Sequence, residues 1–191
     1  MEKVDYKFVN IDGKTIRQAS KMNENSCIHI VIAWANLNEV TLEQIKTEEK
    51  NNEITAIPKL LESLLLENCI VTIDAMDCQK VIAEKIREKK TDYILAVKGN
   101  QPQFYNDILS SFSLLKAKEL HSSIEIDHGR IETRKYSLIN DLKYISSAKE
   151  WKNIQSIVKV ESERIIKKTG ETSKEIRFYI SSNSKMSFVN Q

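Results

Sequence analysis

Cys69-Ile70-Val71-Thr72-Ile73-Asp74 is a short apolar, β-branched run that ends on a single carboxylate. Runs of this length and composition form buried strands. An earlier run of the same kind, Phe8-Val9-Asn10-Ile11, is closed by Asp12. Open α/β sheets place their chemistry just beyond the carboxyl ends of such strands. Asp12 and Asp74, delivered there from different strands, can meet and hold a divalent cation through hard oxygen ligands. Each can equally cap the element that follows, because strand-to-helix turns favour Asp. Spacing alone leaves both readings open.

Outward from these runs, strand and helix signals alternate. Ile28 to Ala35 is a near-continuous apolar strand containing Trp34, and Glu39 to Ile45 alternates as a third strand. The charged stretch Lys46 to Glu53 reads as a solvated loop. Ile54, Ile57, Leu60, Leu61, Leu64 and Leu65 then recur at three- and four-residue steps, the mark of a helix with one apolar face. Pro58 falls in its first turn, where the missing N–H does no harm. After the Asp74 strand, Val81, Ile82 and Ile86 predict a second helix. Tyr93 to Val97 predicts a strand, Lys98 to Pro102 a turn, and Gln103 to Lys118 a third helix. Three strands in a meander followed by strand–helix alternation imply a mixed sheet with a parallel component.

After about residue 119 the texture becomes antiparallel β. Ile124 and Ile126 face Ile131 to Leu138 across an Asp127-His128-Gly129 turn, and Ser156 to Lys167 pairs with Glu175 to Ser182 across Thr169-Gly170-Glu171. The expected organisation is an α/β core over 1–118 and a β-rich segment over 119–191.

Composition narrows the class. The 191 residues, 41% hydrophobic and 29% charged, are those of a soluble globular chain. No apolar stretch approaches the roughly 18 residues of a membrane span, and the amino terminus lacks an apolar signal region. The expected setting is the cytoplasm, with no membrane partner. Cys27, Cys69 and Cys78 form no CxxC pair, so neither a zinc site nor a disulfide framework is indicated. Cys27 and Cys69 read as small buried hydrophobes, and Cys78 as packing at a helix start. A net charge of +2 is neutral on nucleic acid, because local patches set the field over a cleft. His29, His121 and His128 are scattered, with no adjacent nucleophile pattern, and His29 reads as a satisfied core residue. Four glycines make a Gly-rich phosphate loop improbable.

The words of sequence are more specific than their periodicity. Ile11-Asp12-Gly13-Lys14-Thr15-Ile16-Arg17, His29-Ile30-Val31, Ala33-Trp34-Ala35 and Asn52-Glu53-Ile54-Thr55-Ala56-Ile57-Pro58 form an ordered series. It continues through Val71-Thr72-Ile73-Asp74-Ala75-Met76, Cys78-Gln79, Asp92-Tyr93-Ile94-Leu95 and Lys98-Gly99-Asn100-Gln101-Pro102. His128-Gly129-Arg130-Ile131-Glu132 and Arg177-Phe178-Tyr179-Ile180-Ser181-Ser182 complete it. This series resembles the bacterial insertion-sequence transposases of the H-repeat-associated type, a branch of the DDE superfamily, over almost the whole chain.

The resemblance implies an α/β fold of the RNase H-like kind: a mixed sheet with flanking helices, followed by a β-rich insertion. It implies Mg²⁺ (or Mn²⁺) at Asp12 and Asp74, matching the family's first two catalytic aspartates, and cleavage and strand transfer at the ends of a mobile element. DNA is the implied partner, together with self-association or association with a full-length transposase, and nucleoid association when on DNA. The family's catalytic glutamate belongs to a His-Trp-x-Ile-Glu-Asn helix after the Tyr-Ile-Ser-Ser strand, which this sequence lacks. It also lacks the family's helical amino-terminal region, so the expectation is a catalytically incomplete fragment truncated at both ends.

Glu132 is the candidate substitute carboxylate, although a cross-strand ion pair with neighbouring arginines is the more ordinary role for it. Asp77 stands where the family pattern has Gly; it either perturbs the turn after Asp74 or caps the next helix. Lys14, Arg17, Lys98 and Asn100 are candidate DNA contacts, each also readable as a solvated turn residue. Lys89, Lys90, Lys167 and Lys168 read as surface charge. The leading function is a DDE transposase domain. The alternative is a non-catalytic DNA- or transposase-binding module that interferes with transposition, from which a decayed reading frame cannot be told apart by sequence.

Overall fold

The computed structural model describes residues 8–16, 28–37, 39–47, 53–115 and 117–183. They form two compact units that divide between Leu95 and Ala96. Arg17 and Cys27 lie outside the described residues. The fold is a mixed α/β one.

In the first unit the elements run β1 (Phe8–Ile16), β2 (Ile28–Ala35), β3 (Val40–Thr47), α1 (Glu53–Ser63), β4 (Ile70–Ile73), α2 (Lys80–Glu88) and β5 (Asp92–Val97). The sheet order is β3-β2-β1-β4-β5. β1 pairs antiparallel with β2, and β2 with β3, which is the expected meander. β4 runs parallel to β1, and β5 parallel to β4. Period-two alternation buries Val9 and Ile11 of β1, Val31, Ala33 and Ala35 of β2, Val71 and Ile73 of β4, and Tyr93 and Leu95 of β5.

The helical stripe of α1 buries Ala56, Ile57, Leu60 and Leu61, and α1 packs against β2, β3 and α2. Ala33 and Ala35, both fully buried, are small, which suits close approach of a packed helix. Ile82, Ala83 and Ile86 do the same for α2. Each buried Leu or Ile contributes about 1.5–3 kcal/mol relative to exposure. The helix ends are tied by side chains. The Lys89 ammonium donates to the carbonyls of Glu62 (2.8 Å) and Leu64 (3.2 Å), at the carboxyl end of α1. Arg87 pairs with Asp92 and also donates to the Thr91 carbonyl at 2.8 Å, joining the end of α2 to β5.

Several boundaries depart from the sequence expectation. β1 does not stop at Asp12; it continues to Ile16 because β2 offers it a partner over its whole length, while its ladder with β4 ends at Ile11. Lys46 and Thr47 are strand residues rather than loop, and Glu53 is the buried first residue of α1. Pro58 consequently sits in the second turn of α1 rather than the first. Lys89 is a helix-end ligand rather than idle surface charge.

The second unit contains α3 (Pro102–Leu114), β6 (Lys118–Asp127), β7 (Arg130–Ile139), β8 (Ser156–Ile166) and β9 (Thr172–Ser181), with the last four in the antiparallel order β9-β8-β7-β6. α3 ends four residues before the expected Lys118, because Leu115 is already extended and Lys118 opens β6. Phe104 stacks on Trp151 at 5.2 Å, and Tyr105 and Phe112 pack on Phe178 at 5.5 and 5.6 Å. The β6–β7 turn uses His128 (φ 44°) and Gly129 (φ 73°), the left-handed pair that a two-residue hairpin turn requires. α3 groups with the β-rich half, although the sequence texture changes only at about residue 119.

Candidate metal centre and the carboxylates around it

Asp12 and Asp74 reach the same place by register. Ile11 is the parallel partner of Ile73, the last pair of the β1–β4 ladder, so Asp12 and Asp74 each follow directly from that pair. Asn10 and Thr72, partners one step earlier on that face, are joined by a side-chain hydrogen bond. Asp74 keeps an extended backbone (φ −70°, ψ 165°), so its side chain continues the alternation of β4. The opposite face of the same positions, Ile11 and Ile73, is buried. Both aspartates are exposed.

Asp74 also caps. Its Oδ1 accepts the Ala75 N–H at 2.7 Å, starting a 3-10 turn over Ala75–Asp77. The capping and ligating roles offered by the sequence are therefore compatible, since one carboxylate carries two oxygens with about four lone-pair sites. Asp77 does not cap α2: the cap position is Gln79, and it has no side-chain cap hydrogen bond. Asp77 turns inward instead and is 6% exposed.

Glu53, missed in the sequence, and the inward turn of Asp77 complete the local picture. Glu53, at the start of α1, is 7% exposed. Its carboxylate lies against Gly13, in the place a Cβ at that position would take. An isolated glycine inside a strand marks close approach of another group, and that signal was present in Ile11-Asp12-Gly13-Lys14. Burial pushes the Asp77 carboxyl up to about 6, with the charges of Glu53, Asp74 and Asp12 adding to the effect. Glu53, Asp74 and Asp12 thus all lie within electrostatic reach of Asp77.

A pH dependence follows. The fold disfavours ionised Asp77, so this penalty is absent below the ordinary value of 3.8 and fully present above about 6. In EDTA, Asp77→Asn is expected to stabilise the chain at pH 8 by roughly 1–2 kcal/mol after solvent screening, with little effect at pH 4. Thermal melts at the two pH values check it; an Asp77→Asn chain that melts at or below the wild type at pH 8 contradicts it.

The donor set fits a hard divalent cation. Mg²⁺ is held by one or two carboxylates, with waters and phosphate oxygens completing the shell, and Asp12 and Asp74 supply that pair. Among the described residues no three His, Cys, Asp or Glu side chains stand close enough to ligate one ion together.

The other candidate residues are placed as follows. Lys14 is exposed on β1, two residues from Asp12 and so on the same strand face. Lys98 and Asn100 are exposed in the turn after β5. Glu132 lies on β7 in the second unit, where Arg134 (2.8 Å) and Arg164 (3.3 Å) both pair with it. Burial raises its carboxyl, but the hydrogen bonds and charge of Arg134, with Arg164, outweigh that and hold it below its ordinary value. Arg134 also reaches Glu125, the cross-strand partner of Glu132. This is the ordinary ion-pair role.

His29 shares a hydrogen bond with Thr15 (2.8 Å), its cross-strand partner, as a satisfied strand residue would. Cys69 and Cys78 are buried free thiols, and burial pushes Cys78 up to about 12, which leaves it inert. No helix among the described residues is long and apolar enough to cross a membrane.

Comparison with known proteins agrees with the resemblance in the sequence. The family model described as "Transposase DDE domain" matches residues 4–184. The chain is 44% identical over 191 residues to "Putative transposase YncI" of Escherichia coli O157:H7, covering 95% of this chain and 48% of that protein. It is 39% identical over 190 residues to "H repeat-associated putative transposase YhhI" of Escherichia coli strain K12, covering 93% of this chain and 49% of that protein. The chain spans about half the length of these curated relatives. Among solved structures, a piggyBac transposase in a synaptic complex with hairpin DNA aligns with 96% of this chain and 34% of its own, at 10% identity and a TM-score of 0.47. A family match across nearly the whole length places this chain in the DDE transposase domain family.

Proposed function

We propose that this chain binds a divalent cation, Mg²⁺ or Mn²⁺, at Asp12 and Asp74 and engages DNA there, as the catalytic-core portion of an insertion-sequence transposase acting in the cytoplasm. The observation that carries the reading is the register Ile11–Ile73, which delivers two exposed carboxylates directly after the last pair of a parallel ladder. A divalent ion held there supplies Lewis-acid stabilisation of charge on phosphate oxygens. The chain's own residues do the rest. Asp74 keeps one oxygen on the Ala75 N–H, which fixes its orientation. The Asn10–Thr72 hydrogen bond holds the two strands in register immediately before the site. Lys14, exposed on the Asp12 face, is a candidate phosphate anchor, with Lys98, Asn100 and Arg17 as further candidates.

Glu132 is not taken as the substitute carboxylate, because two guanidinium groups already neutralise it. A second reading, binding without cleavage, is favoured by the lack of three ligating side chains in one place among the described residues. Association with a full-length transposase belongs to that reading.

Gel shifts with a fluorescent DNA duplex, with and without Mg²⁺, test both. DNA binding is expected, and Lys14→Ala should lower the salt slope by about one. Nicking that requires metal selects the catalytic reading, and retardation without nicking selects the second. No retardation at low salt overturns the function.

A further inference from the structure

We propose that β6, the free edge of the antiparallel sheet in the second unit, pairs with β6 of a second copy of this chain about a two-fold axis at Ile124, joining two sheets edge to edge. Such a dimer requires nothing of the metal site.

The edge is open. β6 ends the strand order, with β7 on one side and, among the described residues, no strand on the other. A free edge presents a row of unpaired N–H and C=O groups, which sheets ordinarily blunt with lysine, proline or a bulge. β6 carries a bulge only near its start, between Glu119 and His121. The run that follows, His121-Ser122-Ser123-Ile124-Glu125-Ile126-Asp127, pairs with β7 without interruption and contains no lysine, arginine or proline.

The hairpin fixes which groups face outward. His128 and Gly129 are both left-handed, so Asp127 and Arg130 are the hydrogen-bonded pair that closes a two-residue turn. Alternation then turns the backbone groups of Asp127, Glu125, Ser123 and His121 toward β7, and those of Ile126, Ile124 and Ser122 to the open side. The side chains of Ile124 and Ile126 rise from one face of the sheet, 67% and 64% exposed. Ile126 ends a row with Ile131 and Ile165 that crosses β8, β7 and β6 and stops at this edge.

The occupant follows from self-complementarity. A two-fold perpendicular to the sheet keeps each face continuous across the join. Centred on Ile124, it uses the whole uninterrupted run: Ile124 meets its own copy, Ile126 meets Ser122, Glu125 meets Ser123 and Asp127 meets His121. A centre one residue later sets Glu125 against itself, and like charges directly opposite are destabilising. A centre one residue earlier runs the pairing into the bulge and sets Asp127 against Glu119. In the Ile124 register Glu125 lies diagonal to its own copy, and Arg134 pairs with it at 3.1 Å, which relieves that repulsion. A strand pair this short buries less than the roughly 1,200 Å² of a standard interface, so the dimer is a reversible one.

Sedimentation velocity of the full chain from about 1 to 100 µM tests it, with Ile124→Lys and Ile176→Lys as variants. Ile176, 52% exposed on the same sheet face but on β9, controls for non-specific apolar association. The wild type should shift from monomer to dimer along the series. Ile124→Lys sets two like charges opposite each other and should weaken the dimer at least about tenfold; Ile176→Lys should leave it unchanged.

Cross-linking in a Cys27→Ser background reads the register. Pairing at Ile124 puts its two Cα atoms about 5.5 Å apart, within disulfide reach, and those of the two Ile126 residues about 14 Å apart. Under mild oxidation Ile124→Cys should link into a dimer and Ile126→Cys should not. A wild type still monomeric at the top of the series overturns the proposal. So does a dimer that Ile124→Lys leaves intact, equal loss of dimer in both lysine variants, or readier linking through Ile126→Cys than through Ile124→Cys.

Discussion

An Asp74→Asn chain is expected to bind Mn²⁺ at least about tenfold more weakly than the wild type, and to lose whatever metal-dependent nicking the wild type performs. Asparagine is the informative replacement because it separates the two jobs of Asp74. Its amide oxygen can still accept the Ala75 N–H now held at 2.7 Å, so the 3-10 turn after β4 survives. What disappears is the charge, and with it half of the exposed carboxylate pair. The variant should melt close to the wild type in EDTA and gain less stability from added Mn²⁺. Equal gains in the two proteins would show that the ion binds elsewhere.

The largest effect on stability is expected from Trp151→Ala, at about 3–5 kcal/mol. Trp151 is 2% exposed and stacks on Phe104 of α3 at 5.2 Å. Its indole N–H has no partner among the described residues, so truncation removes packing and area without orphaning an acceptor. For a chain of this size the loss corresponds to a fall in melting temperature on the order of 10 °C. The second unit should be the part that fails, seen as early loss of amide-exchange protection in β7, β8 and β9. A change of only a degree or two would mean that α3 and the Ser146–Glu150 turn are not anchored through this ring pair.

Much of the scaffold is legible from local pattern. The strand Ile28–Ala35 has the bounds its apolar run implies, and the β6–β7 hairpin turns where Asp127-His128-Gly129 says it should. β4 ends at Ile73, immediately before the aspartate that marks it. The misses share a physical cause. Strand length beyond Asp12 depends on the partner β2 offers, which no local signal reports. Likewise Glu53 sits in Lys46 to Glu53, a charged run whose average character is solvated. Composition cannot say which one of its acids begins a helix and turns inward.

The site divides the same way. Asp12 and Asp74 could be named because each closes an apolar run, a purely local feature. The burial of Glu53 and Asp77 could not be read, because it is set by α1 and by the turn after β4. Glu132 shows the converse: its neighbours Arg130 and Arg134 were visible beside it, and the arginine that completes its neutralisation, Arg164, comes from the adjacent strand.

The most direct measurement is anomalous diffraction from crystals of the chain soaked in Mn²⁺, collected near the manganese edge. The account predicts a peak lying at about 2.0–2.3 Å from one carboxylate oxygen of Asp12 and one of Asp74, and absent from crystals of Asp74→Asn. A strong peak anywhere else, with the two aspartates bare, would contradict it.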